Sequence, residues 1–403
     1  MAKIKPFKAV RANKNNVSNV VTKSYDTYTE KEIQEIIKHN RNSFLQIIHP
    51  FFKKNTFNSI DEKFEAVKKK YDFFKAKEIL KKEEKPLFYL YEKQTGIGNF
   101  IGIIAAASTK DYKNNIIKKH EKTLKKRETL FKNYLKKTGF NAEPVLLTYP
   151  DEPIINEIIE KNRKKKPEYL FTTKNEKKHS LWLINNEIDI AKIQSTFKKI
   201  KSLYIADGHH RIASSYLLAK ELKTKKSKYF LSYLISETNL KIASFNRLIS
   251  TLNGLTEDAF LDALSKKFTV SLSEKPFIEP KNSHEFSMYL GNKTYLIKLK
   301  KENYNFKTSL HHLDTHILHK NIIRNILGIK NVRKDKRITY IAQHNGQEIL
   351  KNKVLNGDFK IAFGLFPATV KQMKNISDEG LTMPPKSTYI LPKLKSGLII
   401  YEF

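Results

Sequence analysis

The chain has 403 residues, of which 40% are hydrophobic and 11% aromatic, so it can fold into two or three domains and is too apolar to be disordered. It contains no cysteine, which excludes a disulfide scaffold, a thiolate zinc site and a cysteine nucleophile. The net charge of +35 raises the question of nucleic-acid binding, but most basic residues are lysines spread from end to end, not arginine-rich clusters on one face.

The positive charge has a second explanation that does not involve binding. Lysine accompanies abundant Asn and Ile, whose codons are all A/T-rich, so genomic base composition can produce the same bias. Non-specific, salt-sensitive binding to polyanions is expected in either case. The N-terminus lacks the apolar core of a signal peptide, and no stretch approaches the roughly 20 apolar residues of a membrane span. We therefore expect a cytoplasmic protein with no membrane partner.

Short strands and helices alternate through the first half of the chain. Thr29, with Glu32 three residues later, predicts a capping box at the start of a helix. Residues 43–49 are apolar and strand-like, whereas residues 59–80 have helical spacing. The other elements expected before residue 203 are a hairpin at 87–91 and 100–107, a mostly helical stretch at 110–135, strands at 144–149 and 181–184, and helices at 151–163 and 188–200.

One stretch in the middle of the chain combines a strand, a turn and a helix start. Residues 203–206 form an apolar run, Asp207-Gly208-His209-His210-Arg211 follows, and helical spacing continues over 212–222. A helix start offers unpaired backbone N–H groups and a positive dipole end, and an arginine can hold an oxyanion with two parallel N–H bonds. The stretch therefore predicts a phosphate or carboxylate site, although a capped turn with surface histidines is the alternative.

The second half of the chain continues the mixture of strands and helices. Strands are expected at 229–235, 240–249, 268–272, 295–299, 338–342 and 361–366, and helices at 256–267, 310–327, 346–356 and 368–378. There is no long linker, internal repeat or low-complexity block, so the pattern indicates an α+β (mixed α/β) fold. We place a core domain that contains the turn at 1–250, and a further α+β region packed on it at 251–403.

A second group of ligand-type residues lies in the charged stretch at 110–135. His120, Thr123 and Arg127 follow i, i+3, i+7 spacing, so on a helix they would share one face. They could form a second wall of an anion site, with Glu121 as a general base or metal ligand. A solvated helix with surface ion pairs explains the same residues equally well.

Further candidates lie toward the two ends of the chain. Asp26 is a possible general base or magnesium ligand, or alternatively an Asx-type turn before the first helix. Lys386 could reach a phosphate as a point charge, or could belong to an ordered tail flanked by prolines. Asn246-Arg247 ends an expected strand, which is a common position for ligand groups, although an edge ion pair is the alternative.

Spacing rules for metals and nucleotide loops exclude several familiar sites. His312 and His316 are four residues apart, as in helical zinc pairs, but no Glu follows His312 and the apolar residues between them favour a half-buried helix. We therefore assign no residue as a ligand of a resident metal. A P-loop, a dinucleotide-binding fingerprint and the catalytic motifs of protein kinases are all missing from the sequence. Any nucleotide must be held in another way.

Nearly the whole chain resembles an uncharacterised bacterial family, the domain-of-unknown-function 1015 proteins. The residues that carry this resemblance are, in chain order, Lys5-Pro6-Phe7 with Arg11, Tyr25-Asp26, His120-Glu121-Lys122-Thr123, Ala206-Asp207-Gly208-His209-His210-Arg211, Leu313-Asp314 with Leu318-His319, and Met383-Pro384-Pro385-Lys386-Ser387-Thr388-Tyr389. The family name implies no activity.

The Asp-Gly-His-His-Arg turn also resembles, more distantly, the ligand motif of the ParB/sulfiredoxin superfamily. That superfamily includes DNA-partition nucleotidases, sulfiredoxins and kinases that act on free serine. The resemblance covers the turn and its immediate flanks, and it implies a ParB/sulfiredoxin-like core with an additional mixed region. It also implies that Asp207 contacts the acceptor hydroxyl or a metal, and that nucleotide phosphate is held by Gly208, His209, His210 and Arg211.

These observations lead to a nucleotide-dependent phosphotransferase that uses ATP or ADP with Mg²⁺ on the hydroxyl of a small metabolite, serine-like by analogy. Its candidate catalytic residues are Asp207, His209, His210, Glu121 and Asp26. Its candidate nucleotide-binding residues are Gly208, His209, His210, Arg211, His120, Thr123, Arg127 and Lys386. Two alternatives stay open: a nucleotide-gated nucleic-acid-binding protein of the ParB type, and an enzyme for an anionic small substrate that needs no nucleotide.

Overall fold

The computed structural model describes residues 1–24, 27–49, 57–173, 177–342 and 346–403. The chain divides into two compact units, each with its own apolar core. Unit 1 contains residues 1–118, 122–240 and 392–403, and unit 2 contains residues 119–121 and 241–391. Among the described residues, no helix combines the length and apolar character needed to cross a lipid bilayer.

Unit 1 is built from short helices around one large sheet. Its strands are β1 (Ile4–Lys5), β2 (Val10–Ala12), β3 (Leu80–Lys82), β4 (Phe88–Thr95), β5 (Gly98–Ser108), β6 (Ile117–Lys118), β7 (Phe140–Asn141), β8 (Val145–Tyr149), β9 (Tyr169–Thr173), β10 (Lys177–Ile184), β11 (Leu203–Asp207), β12 (Tyr229–Ser236) and the late strand Tyr401–Glu402. Its helices are α1 (Val17–Val20), α2 (Glu30–His39), α3 (Leu45–Ile48), α4 (Ile60–Ala76), α5 (Thr109–Lys113), α6 (Lys125–Thr138), α7 (Pro153–Arg163), α8 (Glu187–Lys199) and α9 (His209–Leu222).

The large sheet of unit 1 has the strand order β6-β11-β8-β12-β5-β4-β10-β9, with β1 paired to β5. Strand β8 runs parallel to β12 and antiparallel to β11, so the sheet is mixed. Its apolar side chains are buried against the helices, as Ile103, Leu147 and Ile205 illustrate with no exposed surface. The antiparallel β8–β11 pair brings the end of β11 beside the start of β8, because Asp207 pairs with Leu146.

Unit 2 contains a second, smaller sheet. Its strands are β13 (Lys241–Ala243), β14 (Asn246–Ile249), β15 (Phe268–Leu272), β16 (Glu285–Leu290), β17 (Lys293–Leu299), β18 (Ile338–Ile341), β19 (Ile361–Leu365) and β20 (Tyr389–Leu391). The strand Tyr401–Glu402 of unit 1 follows these in the chain and is called β21. Six of these strands form an antiparallel sheet in the order β15-β17-β16-β19-β14-β18. The helices are α10 (Glu257–Ser265), α11 (Asp314–Leu318), α12 (Gln347–Leu355) and α13 (Val370–Asp378).

The last residues of the chain return to unit 1. Strand β21 pairs with β7 through Tyr401 and Asn141, and Ile400 exchanges backbone hydrogen bonds with Val10. The division therefore differs from the expected boundary at residue 250. The units separate at residue 240, and residues 392–403 belong to the first unit because their backbone hydrogen bonds are made there.

The fold class is mixed α and β, as expected, and several local predictions are confirmed. Thr29 and Glu32 form both hydrogen bonds of the capping box at the start of α2. The strand, the turn and the helix around Gly208 are also present. Residues 59–80 contain α4, whose start is capped by the Ser59 side chain.

Several local predictions are wrong. Residues 43–49 contain the helical turn α3, not a strand. Most of this short apolar segment is buried, and a buried run of this length has no hydrophobic period that distinguishes a strand from a helix. The stretch 110–135 is interrupted by β6 and extended backbone before α6. The expected helix at 310–327 breaks into a 3₁₀ turn, α11 and a π-helical turn, so its histidines lie on three short segments.

Candidate functional site

The turn between β11 and α9 is built on a left-handed glycine. Gly208 has φ +97°, a conformation that costs a residue with a Cβ atom about 1–2 kcal/mol. The bend ends the buried strand at Asp207 and starts a 14-residue helix directly at His209. No side chain caps this helix start, so backbone N–H groups of its first turn point into the region beyond the strand. Among the described residues, this turn has the groups expected of an anion site.

Asp207 is held as a carboxylate by a lysine from the far end of the chain. Its Oδ2 accepts a hydrogen bond of 3.0 Å from Lys393 Nζ. Burial raises the pKa of Asp207, but the positive charges of Lys393 and Arg211 outweigh it and lower the pKa to about 2. The carboxylate is therefore ionised throughout the neutral range, which suits it to orient a hydroxyl or to bind a cation and makes it a weak proton acceptor.

Arg211 is positioned by the loop that precedes β8. One guanidinium nitrogen donates to the Pro144 carbonyl at 2.7 Å, and the other lies 3.2 Å from Glu143 Oε2. Glu143 in turn accepts a hydrogen bond from Ser396, a residue of the C-terminal segment. The side chain of Arg211 is about one third exposed at 33%, so the guanidinium is fixed in direction and still faces solvent. This is a pre-oriented cation beside the helix start.

The two histidines of the turn differ in their surroundings. His209 is buried, with 6% of its surface exposed, whereas His210 is partly exposed. The backbone N–H of Leu124 donates to His210 Nε2 at 3.1 Å. A nitrogen that accepts a hydrogen bond carries no proton, so in this geometry His210 is neutral with its proton on Nδ1. His210 thus ties the turn to the segment before α6.

The predicted helical face of His120, Thr123 and Arg127 is wrong. Helix α6 begins at Lys125, and the residue before it is extended, because its N–H binds His210 and not a helical carbonyl. Tertiary contact overrides the local helix propensity of this lysine-rich stretch. Thr123 Oγ1 donates to Glu128, and Arg127 is exposed with its guanidinium 6.0 Å from the Phe131 ring centroid. The assignment of these residues to a phosphate site stays a prediction.

Three of the other predicted site residues belong to unit 2, and one lies outside the described residues. His120 is buried, with 1% exposed, and its carbonyl accepts a hydrogen bond from the Met383 N–H. Glu121 is half-buried. Lys386 is exposed, and its ammonium lies 4.9 Å from the Phe245 ring centroid. Asp26 falls in the undescribed pair 25–26, so its role stays a prediction.

The Asn246-Arg247 pair starts β14 and does not end a strand. The expected strand 240–249 is divided at residues 244–245, which makes Arg247 an interior residue of the six-stranded sheet. It is 3% exposed, so it is not the surface ion pair considered above. Its guanidinium donates to the carbonyls of Phe245 and Lys386, and burial lowers its pKa to about 10.

Two residues of the candidate site were missed in the sequence. Neither Lys393 nor Glu143 belongs to a sequence motif. Lys393 reaches the turn from the C-terminal segment, and Glu143 reaches it because β8 pairs with β11. Only the position of Glu143, just before an expected strand, was a signal that could have drawn attention to it. Lysine is too common in this chain for Lys393 to stand out.

Gly208→Ala is expected to lower the free energy of unfolding by about 1–2 kcal/mol, because alanine is strained at φ +97°. The added Cβ would also lie 3.3 Å from an Arg211 guanidinium nitrogen and 3.4 Å from Val145 Cα. Urea denaturation followed by fluorescence of the single tryptophan, Trp182 in β10, measures the loss. Gly139→Ala is the control matched for backbone strain, since Gly139 has φ +78° and no atom within 4 Å; it should lose a similar free energy of unfolding without disturbing the turn. Equal responses to nucleotide in both variants would contradict a role for the turn in binding.

Comparison with known proteins gives one family match. The family described as "Protein of unknown function (DUF1015)" matches residues 4–316. No curated protein matches the chain. A solved mutant of free serine kinase in complex with ADP is 13% identical, with 70% of this chain and 89% of that chain covered and a TM-score of 0.37. SbnI with a C-terminal truncation from Staphylococcus aureus is 13% identical over 73% of this chain and 87% of its own, with a TM-score of 0.39.

Proposed function

The chain belongs to the DUF1015 family, whose description names no activity, and from the side chains of its Gly208 turn we propose that it is a nucleotide-dependent phosphotransferase. The acceptor is the hydroxyl of a small metabolite. Its serine-like character follows from the resemblance of the Asp-Gly-His-His-Arg motif to the turn of free-serine kinases. The donor is ATP or ADP.

The observation that carries this proposal is the convergence of opposite charges at one helix start. Gly208 bends the chain so that an ionised carboxylate ends β11 and a pre-oriented guanidinium lies in the first turn of α9. Phosphoryl transfer needs mostly positioning and charge stabilisation, and these groups supply both. Arg211 and the first N–H groups of α9 would hold phosphate oxygens, and His210 would donate from Nδ1.

In the reaction, the acceptor hydroxyl oxygen forms a bond to the terminal phosphorus while the bond to the leaving nucleotide oxygen breaks. Asp207 accepts a hydrogen bond from the hydroxyl and directs its lone pair toward phosphorus. Because its pKa is about 2, Asp207 orients the nucleophile and takes its proton only late in the transfer. Lys393 keeps the carboxylate in place through Oδ2.

The donor set of Asp207 fits magnesium, since this ion prefers carboxylate oxygens and keeps several waters. Lys393 already binds Oδ2, so Oδ1 is the oxygen that would hold either the acceptor hydroxyl or the ion. Mg²⁺ would supply charge neutralisation between nucleotide phosphates.

A thermal-shift screen with ATP, ADP and CTP, each with and without Mg²⁺ and serine, tests the proposal. We expect at least one nucleotide to stabilise the wild type, by about 2.7 kcal/mol at 100 times its Kd. Arg211→Ala should weaken that nucleotide about 10- to 100-fold, because it removes one or two charge-assisted hydrogen bonds. Product formation is then followed by ³¹P NMR with serine as the first acceptor.

The control is Arg41→Ala, which removes an exposed arginine of unit 1. It should leave the nucleotide response at the wild-type value. No response to any nucleotide would overturn the proposal and favour an enzyme for an anionic substrate. A response to nucleotide accompanied by saturable, sequence-dependent DNA binding would favour the ParB-type alternative.

A further inference from the structure

One face of the unit 1 sheet collects lysines at the ends of β4 and β10. Lys93 in β4 is directly opposite His179 in β10, and opposed residues of an antiparallel pair project to the same face. Lys177 is two residues before His179 and therefore lies on this face as well. Two cationic side chains and an imidazole thus share a small area of sheet.

The C-terminal segment adds further lysines to this face. Lys93 is 7% exposed, and its Nζ donates to the Lys393 carbonyl at 2.5 Å. Lys395, two residues later, lines a small, partly open pocket together with Tyr91, which is on the same face of β4 as Lys93. In the described parts of the chain, no carboxylate lies within ion-pair distance of Lys93, Lys177 or Lys395. We call these three residues the lysine cluster.

The imidazole in the middle of this face supplies no compensating charge. His179 is fully buried, bonded through Nδ1 to the Tyr91 hydroxyl at 2.7 Å and stacked on the Phe171 ring at 4.9 Å. Burial and the neighbouring lysines lower its pKa to about 3, so it is neutral at physiological pH. These aromatic contacts hold His179 in place on the sheet face that it shares with Lys93.

Burial and repulsion from neighbouring lysines lower the pKa values of two lysines in the cluster. Burial, followed by the charges of Lys177, Lys395 and Lys393, lowers the pKa of Lys93 to about 7. Burial, followed by Lys23 and Lys177, lowers the pKa of Lys395 to about 8. A bound anion would relieve both effects, because it would replace lost water and cancel the mutual repulsion.

We propose that Lys93, Lys177 and Lys395 form a binding site for an oxyanion, a phosphate or a carboxylate group, on this face of the sheet. Lys393 joins the site to the turn, since its carbonyl accepts from Lys93 and its ammonium binds Asp207. An acceptor with an anionic group held at the lysine cluster would therefore place its other end near Asp207. Only this identification of the anion as part of the acceptor rests on the proposed function.

The test is isothermal titration calorimetry with inorganic phosphate and, in a second arm, malonate. Titrations are run at pH 7.5 in two buffers that differ in ionisation enthalpy. We expect binding of one of the two anions with net proton uptake, because an anion raises the pKa of a lysine that is partly unprotonated when the site is empty. The arm that binds identifies phosphate or carboxylate as the preferred chemistry.

Lys93→Met and Lys395→Met should each weaken the anion at least about 10-fold, because each removes a charge-assisted hydrogen bond. Lys93→Met should also remove most of the proton uptake, because at pH 7.5 Lys93, with a pKa of about 7, is less protonated than Lys395, with a pKa of about 8. Lys395 is half-exposed, so its variant keeps the test open if Lys93→Met fails to fold. Lys178→Met is the matched control: Lys178 lies next to Lys177 but on the opposite face and is exposed. Wild-type affinity in both cluster variants, or no binding of either anion, would overturn the inference.

The same titrations are repeated in the Arg211→Ala background, which removes the phosphate contact proposed for the turn. Retained anion binding there assigns it to the lysine cluster, and loss of binding there overturns the inference. If the wild type binds the anion but responds to no nucleotide, the proposed function fails and the lysine cluster stands. If the wild type responds to nucleotide but the cluster variants keep wild-type anion binding, the inference about the lysine cluster fails and the proposed function stands.

Discussion

Asp314→Asn is expected to raise the free energy of unfolding at pH 8.5 by up to about 4 kcal/mol, less the cost of burying the asparagine amide without a partner. Asp314 is 5% exposed, and its Oδ2 has no hydrogen-bond partner in the described structure. Burial raises its pKa from 3.8 to about 7, and the single backbone hydrogen bond from His284 is too little to offset this. A shift of about 3 pKa units corresponds to about 4 kcal/mol that the folded protein loses when the carboxyl ionises. Asparagine keeps the acceptor oxygen and removes the charge.

The sign of the pH dependence follows from proton binding. Between about pH 4 and 7 the folded state holds a proton on Asp314 that the unfolded state has released, so wild-type stability falls as pH rises through this window. Hydrogen–deuterium exchange of β16 and β17 peptides at pH 5, 7 and 8.5 measures the stability of unit 2. Asp262→Asn, at an exposed position, should keep the wild-type profile. An unchanged slope in Asp314→Asn would show that the buried carboxyl does not titrate as described.

Gly102→Ala is expected to lower the free energy of unfolding of unit 1 by about 3 kcal/mol. A Cβ at this position would lie 2.3 Å from the Leu234 carbonyl oxygen and 2.9 Å from the Tyr233 ring. The carbonyl is backbone of the neighbouring strand β12 and the ring is fully buried, so neither can move without disturbing the sheet. Urea denaturation followed by Trp182 fluorescence reports on this sheet directly, because Trp182 is 6% exposed in β10.

The matched control for this substitution is Gly96→Ala in the turn between β4 and β5. A Cβ on Gly96 would meet no atom within 4 Å, so its stability should stay within about 0.5 kcal/mol of wild type. A loss in Gly102→Ala no larger than in Gly96→Ala would contradict the close approach. The loss of stability should also reach the sheet face that carries the lysine cluster. The Tyr233 hydroxyl donates to the Tyr91 backbone carbonyl at 3.2 Å, and Tyr91 binds His179 on that face.

The parts of the fold that the sequence predicts correctly depend on local rules. A threonine followed by glutamate three residues later can satisfy two helix N–H groups by itself, so the capping box at Thr29 is visible without tertiary information. The same holds for the bend at Gly208, since glycine is the residue that readily takes a left-handed conformation between a strand and a helix. For these elements the chain's local preference and its final contacts agree.

The incorrect parts depend on distant contacts. Residues 119–124 have helix-forming neighbours, yet the N–H of Leu124 finds a better partner in His210, which lies 86 positions later in the chain. The pairing of Asp207 with Lys393 spans 186 residues and leaves no local pattern. The turn itself was therefore predictable, whereas the charges that set the state of its carboxylate were not.

Unit 1 is interrupted in the chain by nearly all of unit 2, and this has a consequence for synthesis on the ribosome. Residues 392–403 emerge only after all of residues 241–391 have been translated. Until then Asp207 has no Lys393, Glu143 has no Ser396, and β7 has no β21 partner. A nascent chain released anywhere within unit 2 therefore carries the turn at Gly208 without Lys393, the counter-charge of Asp207. The candidate site can form completely only after translation has reached β21.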